Sequence, residues 1–510
     1  MAAFALGVVL AACALGASLP GAMHDALWQD EVGTERAISQ PTVGAALRVI
    51  VDRESTPPAF FLVARGADRV VNGLKPASRV KAVRTLSVVF ALGCALLTFA
   101  LAYELMPLWA ATLAGLMVGL GSIGVVYGTL LRSYAMLAFA CAAFAFLLER
   151  AAARPTFARL ALLSSAVALG SLTHYFFLFT LGAGALWLLA AGLRRRVIAR
   201  VGVALGIGLI PLAAWSPDWL RQYRHGIYAT APPFTVTHFL QLLPLLFTSQ
   251  AIVGAMTIVA SALLTLAVLV SAAFLLRRQR GRLCALLVLA PFLTVSALAW
   301  ASGERVYRDR NLVGVAPFAA IALAWGIASI PWRRVAGPIG IVVAALVLAQ
   351  FAYGEIELGR TPYDRIAREM TRQGLRRNEP ILWFGSWAGH IPFGWYLGSD
   401  MPGKAWPGLV VSRPARGACS GVEVVARTQT SRLWLERHRN AIVSEASLPS
   451  YGDVPQGQRN PDLIVARLRW SNGILAPREV VDPDLDRWPT APLNWFLFGV
   501  ASTKSPCLRT

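Results

Sequence analysis

The chain has 510 residues, of which 56% are hydrophobic and only 15% are charged. This balance excludes an ordinary water-soluble globular protein, in which about a quarter of the residues are charged. The formal net charge of +21 does not indicate nucleic-acid binding, because basic residues crowd into short segments between apolar runs, where they orient membrane helices. These segments are LERAAARPTFAR, LRRRVIAR, LRRQRGR and PWRR. We therefore expect a lipid bilayer, and no nucleic acid, as a partner.

Apolar runs of about 20 residues can cross a bilayer as helices, which satisfy their own backbone hydrogen bonds. With the N-terminus in the cytoplasm, all four basic segments lie on the cytoplasmic face, and an odd number of crossings places the chain after residue 352 outside. Alternatively, the first apolar run is a signal peptide that is cleaved after ALGASLPGA. The number of crossings is odd only if that helix is retained, so the topology above requires it. The eleven predicted membrane helices lie near residues 1–20, 82–104, 108–128, 133–150, 158–173, 174–192, 198–216, 251–276, 283–302, 311–330 and 335–352.

The first outer loop, residues 21–81, is predicted to contain interfacial helices. Its segment TPPAFFLVARGADRVV is too short to span a bilayer and too apolar for a free loop. We expect Thr56 to cap this helix and Pro57 to occupy its first position. The segment LRQYRHGIYATAPPFTVTHFLQLLPLLF is interpreted in the same way, with a break at Pro232–Pro233.

From about Tyr353 the composition becomes that of a soluble protein, which predicts a transmembrane module over residues 1–352 and a small extracytoplasmic α/β domain over 353–510. TPYDRIAREMTRQGLRR is typical of an amphipathic helix, and PILWFGSW, GVEVVART and DLIVARL are typical of short strands. Outside the cytoplasm, a disulfide between Cys419 and Cys507 is expected.

The stretch LWQDEVGTERA follows directly on the first apolar run. Asp30 comes two residues after Trp28, a typical interface anchor, so its carboxylate is expected at membrane depth, where charge is costly and usually functional. A carboxylate there can deprotonate a hydroxyl or bind a divalent cation. Glu35 shares a helix face with Glu31 and is interpreted as solvating the helix and compensating its dipole.

Three later turns on the predicted outer face, in LLRSYAM, LTHYFF and VYRDRN, carry basic and aromatic side chains. With the acidic turn at Asp30 they predict a charge-complementary cavity, in which cations hold a phosphate and a carboxylate activates a nucleophile. The alternative for each arginine is snorkelling toward lipid headgroups. The candidate residues in these turns are Arg132, Tyr134, His174, Tyr175, Tyr307, Arg308 and Arg310.

The order of these landmarks resembles the GT-C glycosyltransferases, specifically their protein-mannosyltransferase-like and aminoarabinose-transferase-like branch. The matching features are W-x-D-E after the first helix, a Pro-Pro interfacial segment, VRTLSVV opening the second helix, R-x-Y-A-x-L-A opening the fourth and THYF opening the sixth. The resemblance covers about residues 20–330. It implies a GT-C-like polytopic α-helical membrane protein with about eleven membrane helices.

The resemblance also implies an enzyme of the bacterial cytoplasmic membrane, a hexosyl- or pentosyltransferase that uses a polyprenyl-phosphate-sugar donor. The acceptor is a hydroxyl of a cell-envelope glycan, lipid or protein on the extracytoplasmic face, and the anomeric carbon is inverted. Asp30 matches the catalytic acidic position, where a carboxylate is the general base, and Glu31 matches a second acidic residue that is structural or orients the acceptor. Arg132, Arg308 and Arg310 are assigned to the donor phosphate, and Tyr134, His174, Tyr175 and Tyr307 to the substrate pocket.

Two departures from the family concern metal binding. Many relatives have an acidic residue just before the R-x-Y arginine, where this chain has Leu131, and often a histidine before Pro-Pro, where it has Thr56. We therefore predict metal-independent chemistry, with a divalent cation as the disfavoured alternative. A transporter or lipid flippase is the rival function and predicts charged or broken helices at the bilayer midplane. An accessory scaffold predicts that the acidic and basic turns do not converge.

Overall fold

The computed structural model describes residues 2–24, 27–224, 234–248, 258–302 and 308–357, and in the C-terminal part 381–385, 395–396, 409–412, 423–426, 442–446, 463–471 and 474–481. The described elements before residue 358 are helices. The helices are α1 (Ala2–His24), α2 (Gln29–Ile38), α3 (Val43–Arg53), α4 (Ala59–Val70), α5 (Pro76–Tyr103), α6 (Leu108–Gly119), α7 (Ser122–Val125), α8 (Tyr134–Ala153), α9 (Phe157–Thr173), α10 (Phe177–Ala190), α11 (Arg195–Arg224), α12 (Val236–Phe247), α13 (Ile258–Leu276), α14 (Arg282–Ser302), α15 (Asp309–Leu312), α16 (Ala316–Ala328) and α17 (Arg333–Glu357).

Eight segments of the described chain are long and apolar enough to cross a membrane. Three further predicted spans correspond to α9, α10 and the apolar part of α17, which are shorter apolar helices. The predicted multi-pass α-helical architecture is therefore confirmed. The eight segments are Ala5–Met23, Pro76–Tyr103, Leu108–Val125, Tyr134–Ala153, Arg195–Arg224, Ile258–Leu276, Gln279–Ser302 and Arg310–Ala328.

The third span is broken, whereas the sequence predicted a continuous helix over 108–128. A Cβ atom at Gly124 would overlap the carbonyl oxygen of Gly119, so the chain turns here in a way that only glycine permits. Serine hydroxyls join the break to neighbouring helices: Ser18 Oγ of α1 donates to Gly124 O over 2.9 Å, and Ser122 Oγ, in the break itself, donates to Leu246 O of α12 over 2.6 Å. The Ser18 hydroxyl satisfies a carbonyl of the interrupted span, and the Ser122 hydroxyl joins the break to the last turn of α12.

Small residues allow the membrane helices to approach closely. A Cβ atom at Gly115 of α6 would lie 2.6 Å from a methyl carbon of Leu10 in α1, and one at Gly184 of α10 would lie 2.5 Å from the ring of Phe144 in α8. Close backbone approach replaces the hydrophobic driving force, which is weak between helices surrounded by lipid tails. Helix α5 packs against α1, α6 and α8.

The segment between α1 and α5 contains the helices α2, α3 and α4. Their predicted position at the outer membrane interface stays a prediction. Thr42 caps α3 by accepting a hydrogen bond from Ala45 N over 3.1 Å. The predicted start of the next helix was wrong, because α4 has Pro58 as its N-cap and no side-chain cap. Thr56 is instead buried, and its carbonyl oxygen accepts a hydrogen bond from Gln222 of α11 over 3.2 Å.

The C-terminal part contains a six-stranded sheet in the order β1-β4-β5-β6-β3-β2. Strands β1 and β4 are parallel, and the other neighbouring pairs are antiparallel. Three predicted strands correspond to β1, β3 and β5, whereas β2, β4 and β6 were missed. The predicted helix of TPYDRIAREMTRQGLRR, the Pro232–Pro233 break and both Cys419 and Cys507 lie outside the described residues. The strands are β1 (Ile381–Gly385), β2 (Leu409–Ser412), β3 (Glu423–Ala426), β4 (Ile442–Ala446), β5 (Leu463–Ser471) and β6 (Ile474–Val481).

The chain forms two compact units. The first comprises Met1–His24 and Gly33–Leu358, and the second comprises Asp25–Val32 and Gly359–Thr510. The predicted domain boundary between residues 352 and 353 stays a prediction. Within the second unit, the backbone N–H of Leu27 donates a hydrogen bond of 2.8 Å to the hydroxyl of Tyr396.

Candidate active site

The two adjacent carboxylates at the start of α2 have different environments. Glu31 is 0% exposed, and its Oε2 accepts a hydrogen bond of 2.9 Å from the backbone N–H of Trp28. The carbonyl of Trp28 in turn accepts from the N–H groups of Glu31 and Val32 over 3.0 and 3.1 Å. This is the backward half of a capping box, which satisfies a donor at the helix start. Asp30 lies in the same first turn and is half-buried.

Glu35, one turn later in α2, is buried rather than solvated. Its carboxylate lies 3.6 Å from Arg79 of α5, and the same guanidinium contacts Asp68 of α4 at 2.8 Å. The interpretation of Glu35 as a solvating residue was therefore wrong. Its charge is compensated by Arg79, because α4 and α5 flank this end of α2.

A buried arginine of α4 holds the C-terminal end of α2. Arg65 Nη1 donates to Ile38 O over 2.7 Å and to Gln40 O, and Arg65 Nη2 donates to Pro41 O over 3.1 Å. The last carbonyls of a helix lack partners within the helix, and a cation there also interacts favourably with the helix dipole. Helix α2 is thus fixed by charged side chains along its length.

Arg132, just before α8, is 6% exposed and does not snorkel toward lipid headgroups. Its Nη1 donates to Glu54 Oε2 over 2.9 Å and to Thr34 Oγ1 over 3.1 Å. Thr34 follows Asp30 by four residues, so the two lie on the same face of α2. The arginine therefore links the end of α3 to the helix that carries the predicted base.

Glu54 was missed by the sequence reasoning. It is 6% exposed, it ends α3 as its C-cap, and its N–H donates to Ile50 O over 3.0 Å. A Cβ atom at Gly33 would lie 2.7 Å from Glu54 Oε1, so the absence of a side chain there lets the carboxylate approach α2. The signal available in the sequence was position: Glu54 lies three residues before the Pro57–Pro58 landmark, in a loop that the sequence assigned to the outer face.

His174, the C-cap of α9, is 5% exposed and is a neutral group. The pKa of His174 is lowered to about 3, mainly because the ring is buried. The nearby positive charges of Arg132 and Arg310 lower it further. Its Nδ1 accepts a hydrogen bond of 3.3 Å from Phe176 N. The sequence counted this turn as basic, but the cations of the cluster are its arginines.

The predicted pocket tyrosines have separate surroundings. The ring of Tyr134 is buried 6.2 Å from the ring of His174 and 5.3 Å from that of Tyr127. Tyr175 instead contacts α11: its hydroxyl donates to Gln222 Oε1 over 2.6 Å and accepts from Trp215 Nε1 over 3.0 Å. The structure therefore groups Tyr134 with the histidine, whereas Tyr175 fastens α11.

The remaining candidates lie at the start of α15 and beside it. Arg310 is half-buried and close enough to His174 to affect its protonation. Arg308 is half-buried, and its carbonyl accepts a hydrogen bond of 3.1 Å from Asn311 N. Tyr307 lies outside the described residues. Arg132, Arg310, His174 and Tyr134 thus come together from three different turns.

Among the residues that the structure describes, no group of three or more His, Cys, Asp or Glu side chains is arranged to hold a metal ion. The predicted metal-independent chemistry stays a prediction. The chemistry that the cluster supports is anion binding, because the positive charges of Arg132 and Arg310 both act on one neutral imidazole. Guanidinium groups form strong, charge-assisted hydrogen bonds with phosphate oxygens.

No known protein family and no curated protein matches this sequence. Solved structures do match its fold. ArnT from Cupriavidus metallidurans in the apo state is 12% identical, with a TM-score of 0.54, and the match covers 88% of this chain and 94% of that one. ArnT bound to undecaprenyl phosphate is 13% identical, with a TM-score of 0.52 over 92% of this chain and 97% of that one. At this identity the likeness shows the fold, and it confirms the predicted GT-C-like architecture.

Proposed function

We propose that this chain, which has the fold of ArnT, is a membrane glycosyltransferase that moves a sugar from a polyprenyl-phosphate donor to a hydroxyl acceptor. The ArnT structure that contains undecaprenyl phosphate supports a lipid-linked donor. The acceptor is a cell-envelope glycan, lipid or protein, and the enzyme belongs to the bacterial cytoplasmic membrane with its site on the extracytoplasmic face. The sugar is a hexose or a pentose.

One observation carries the proposal: buried Arg132 is bonded to Thr34 of α2, on the helix face that also contains Asp30. Arg310 belongs to the same cluster through His174. A glycosyltransferase of this type needs cations for the phosphate and a carboxylate for the acceptor. Helix α2 brings these two requirements onto one element.

In the proposed reaction, Asp30 takes the proton of the acceptor hydroxyl, and the acceptor oxygen forms a bond to the anomeric carbon. The bond between that carbon and the phosphate oxygen breaks, and its electron pair leaves with the polyprenyl phosphate. Attack from the side opposite the leaving group inverts the anomeric carbon. Arg132 and Arg310, with Arg308, stabilise the negative charge that develops on the phosphate.

The other side chains have supporting roles in this proposal. Glu31 caps the helix start and so orients Asp30. His174 and Tyr134 pack beside the arginines as neutral groups, which leaves the positive charge of the guanidinium groups for the donor. The region after residue 352 shapes the acceptor opening, and its deletion is expected to change the choice of acceptor.

The substitution Asp30→Asn tests the base. It keeps the size of the side chain and removes the proton acceptor, so the transfer rate should fall by about 10²- to 10⁴-fold, the usual contribution of a general base. Binding of the donor should persist. The measurement is sugar transfer by purified protein in lipid, offered a panel of polyprenyl-phosphate sugars and hydroxyl acceptors.

Asp52→Asn is the matched control, because Asp52 is an exposed carboxylate in α3, and it should leave transfer unchanged. Equal activity of Asp30→Asn and wild type would refute the assignment of the base. A wild-type protein that binds the lipid but moves it across the bilayer without transfer would instead establish the transporter or flippase alternative.

A further inference from the structure

The ion pair between Glu54 and Arg132 bears on how the lipid phosphate binds and leaves. Both side chains are buried, and the carboxylate reaches the guanidinium at 2.9 Å. A buried charge is expensive unless it is paired, so the pair compensates two groups that would each be costly alone. The same contact places a negative charge directly on an arginine proposed to receive a phosphate.

Glu54 is held firmly in this place. Gln222 of α11 is fully buried, and its Nε2 donates to Ile50 O over 3.0 Å and to Thr56 O over 3.2 Å, on either side of Glu54. Tyr175 holds the amide oxygen of Gln222 over 2.6 Å. The carboxylate thus belongs to a fixed backbone segment.

A fixed carboxylate beside Arg132 repels any phosphate that approaches the same guanidinium, and the repulsion grows with the phosphate's charge. The donor is a phosphodiester with one negative charge. After transfer, the polyprenyl phosphate is a monoester whose second proton dissociates with a pKa near 6, so its charge at pH 7.5 is about −2. Glu54 therefore opposes binding of the product more strongly than binding of the donor.

We propose that Glu54 is a positioning residue that competes with the lipid phosphate for Arg132 and so favours the donor over the polyprenyl phosphate product. This inference rests on the proposed function and adds to it a means of product release. When the donor phosphate binds, Arg132 exchanges part of its interaction with Glu54 for the phosphate oxygens. When the product forms, the added negative charge is repelled and the lipid leaves.

The test uses Glu54→Gln in the full-length protein in lipid nanodiscs at pH 7.5. Glutamine keeps a hydrogen-bond acceptor for Arg132 and removes the charge. The probes are undecaprenyl phosphate, a monoester, and undecaprenyl methyl phosphate, a diester with the same chain. Relative to wild type, Glu54→Gln should lower the dissociation constant of the monoester about tenfold and that of the diester about threefold, because the monoester carries about twice the charge.

Asp52→Asn, two residues away and exposed, removes an equal charge and should change neither constant. If Glu54→Gln weakens both lipids, or shifts both by the same factor, Glu54 only supports the structure and the inference is overturned. If Glu54→Gln does not purify as a monodisperse protein, the test uses Glu54→Asp, which withdraws the carboxylate by one methylene. The dissociation constant of the monoester should then fall by a smaller factor. An unchanged constant overturns the inference.

Different results contradict the proposed function and the inference about Glu54. A wild-type protein that binds neither lipid contradicts the proposed function and the inference together. A wild-type protein that binds both lipids, with no change in the monoester-to-diester ratio in Glu54→Gln, contradicts the inference alone.

Discussion

Adjacent or similar residues in this chain differ in role because burial and partners differ. Glu31 caps its helix by accepting a hydrogen bond from the backbone N–H of Trp28, whereas the neighbouring Asp30 is half-buried. Arg132 is buried with a carboxylate partner, whereas Arg310 is half-buried. Residue type alone would have treated the members of each pair alike. The chemistry assigned to each follows from its surroundings.

The neutral state of His174 makes the stability of the protein depend on pH. The pKa of His174 is about 3 in the folded protein and 6.5 when the group is unperturbed. The unfolded chain therefore binds the proton more tightly, so this contribution to stability is complete above pH 6.5. It is lost progressively as the pH falls from 6.5 toward 3, at about 1.4 kcal/mol per pH unit. Thermal unfolding at pH 7.5 and 5.5 should show a lower midpoint at the acidic pH.

His174→Gln removes the titrating group, so its unfolding midpoint should fall less between these two pH values. The matched control is His238→Gln at the half-buried start of α12, which should retain the wild-type dependence. An acid-induced decrease of the same size in His174→Gln and wild type would show that other groups cause it.

Helix α2 depends on its neighbours more than on its own composition. It has only ten residues, and isolated helices shorter than about 12–15 residues are marginal in water. Arg65 holds its C-terminal end and Arg79 pairs with Glu35. Because Gly33 has no side chain, the carboxylate of Glu54 can approach the helix closely. The element that carries the proposed base is thus positioned by contacts from α3, α4 and α5.

Gly33→Ala tests this close approach. The added Cβ would lie 2.7 Å from Glu54 Oε1, so the carboxylate must move, and overpacking of this kind costs about 1–3 kcal/mol. We expect a lower unfolding midpoint together with altered binding of undecaprenyl phosphate. The comparison is Gly66→Ala in α4, where nothing lies within 4 Å of the new methyl group.

Gly66→Ala should stabilise the protein by about 0.5–1 kcal/mol, since alanine favours a helix interior over glycine. If both alanine variants raise the unfolding midpoint, the packing of Glu54 against α2 is not tight.

The whole molecule is organised by the bilayer. The helices that span it are apolar, and most of the predicted functional side chains lie at or beside helix ends. The break at Gly121–Gly124 shows that irregular backbone is tolerated where neighbouring helices provide hydrogen-bond donors or acceptors. The orientation of the bundle decides which side of the membrane supplies the substrates.

The predicted topology can be tested with alkaline phosphatase, which is active only outside the cytoplasm. A fusion after residue 357 should be active, because an odd number of spans precedes it. A fusion after Arg280, in the basic segment between α13 and α14, should be inactive. Green fluorescent protein at the same two positions should give the opposite pattern. An active fusion after Arg280 would contradict the predicted orientation.

Much of the fold and part of the candidate site could be predicted from the sequence. Apolar runs reveal spanning helices because the bilayer imposes a minimum length, and motifs at their ends revealed Asp30, Arg132 and His174 as candidates. The interruption of the third span was missed, because glycine and serine are also common in unbroken membrane helices. The strands β2, β4 and β6 were missed because short apolar runs are ambiguous without their sheet partners.

The amino-acid sequence by itself determined the class of the protein, the positions of most spans and the residue types at the outer turns, since these depend on local hydrophobicity and charge. Only the tertiary structure decided which charges meet. Glu54 and Arg132 are 78 residues apart, and no periodicity links them. Their pairing, like the neutral state of His174, arises from helix packing that removes water, and in that environment the partner of each charge determines its role.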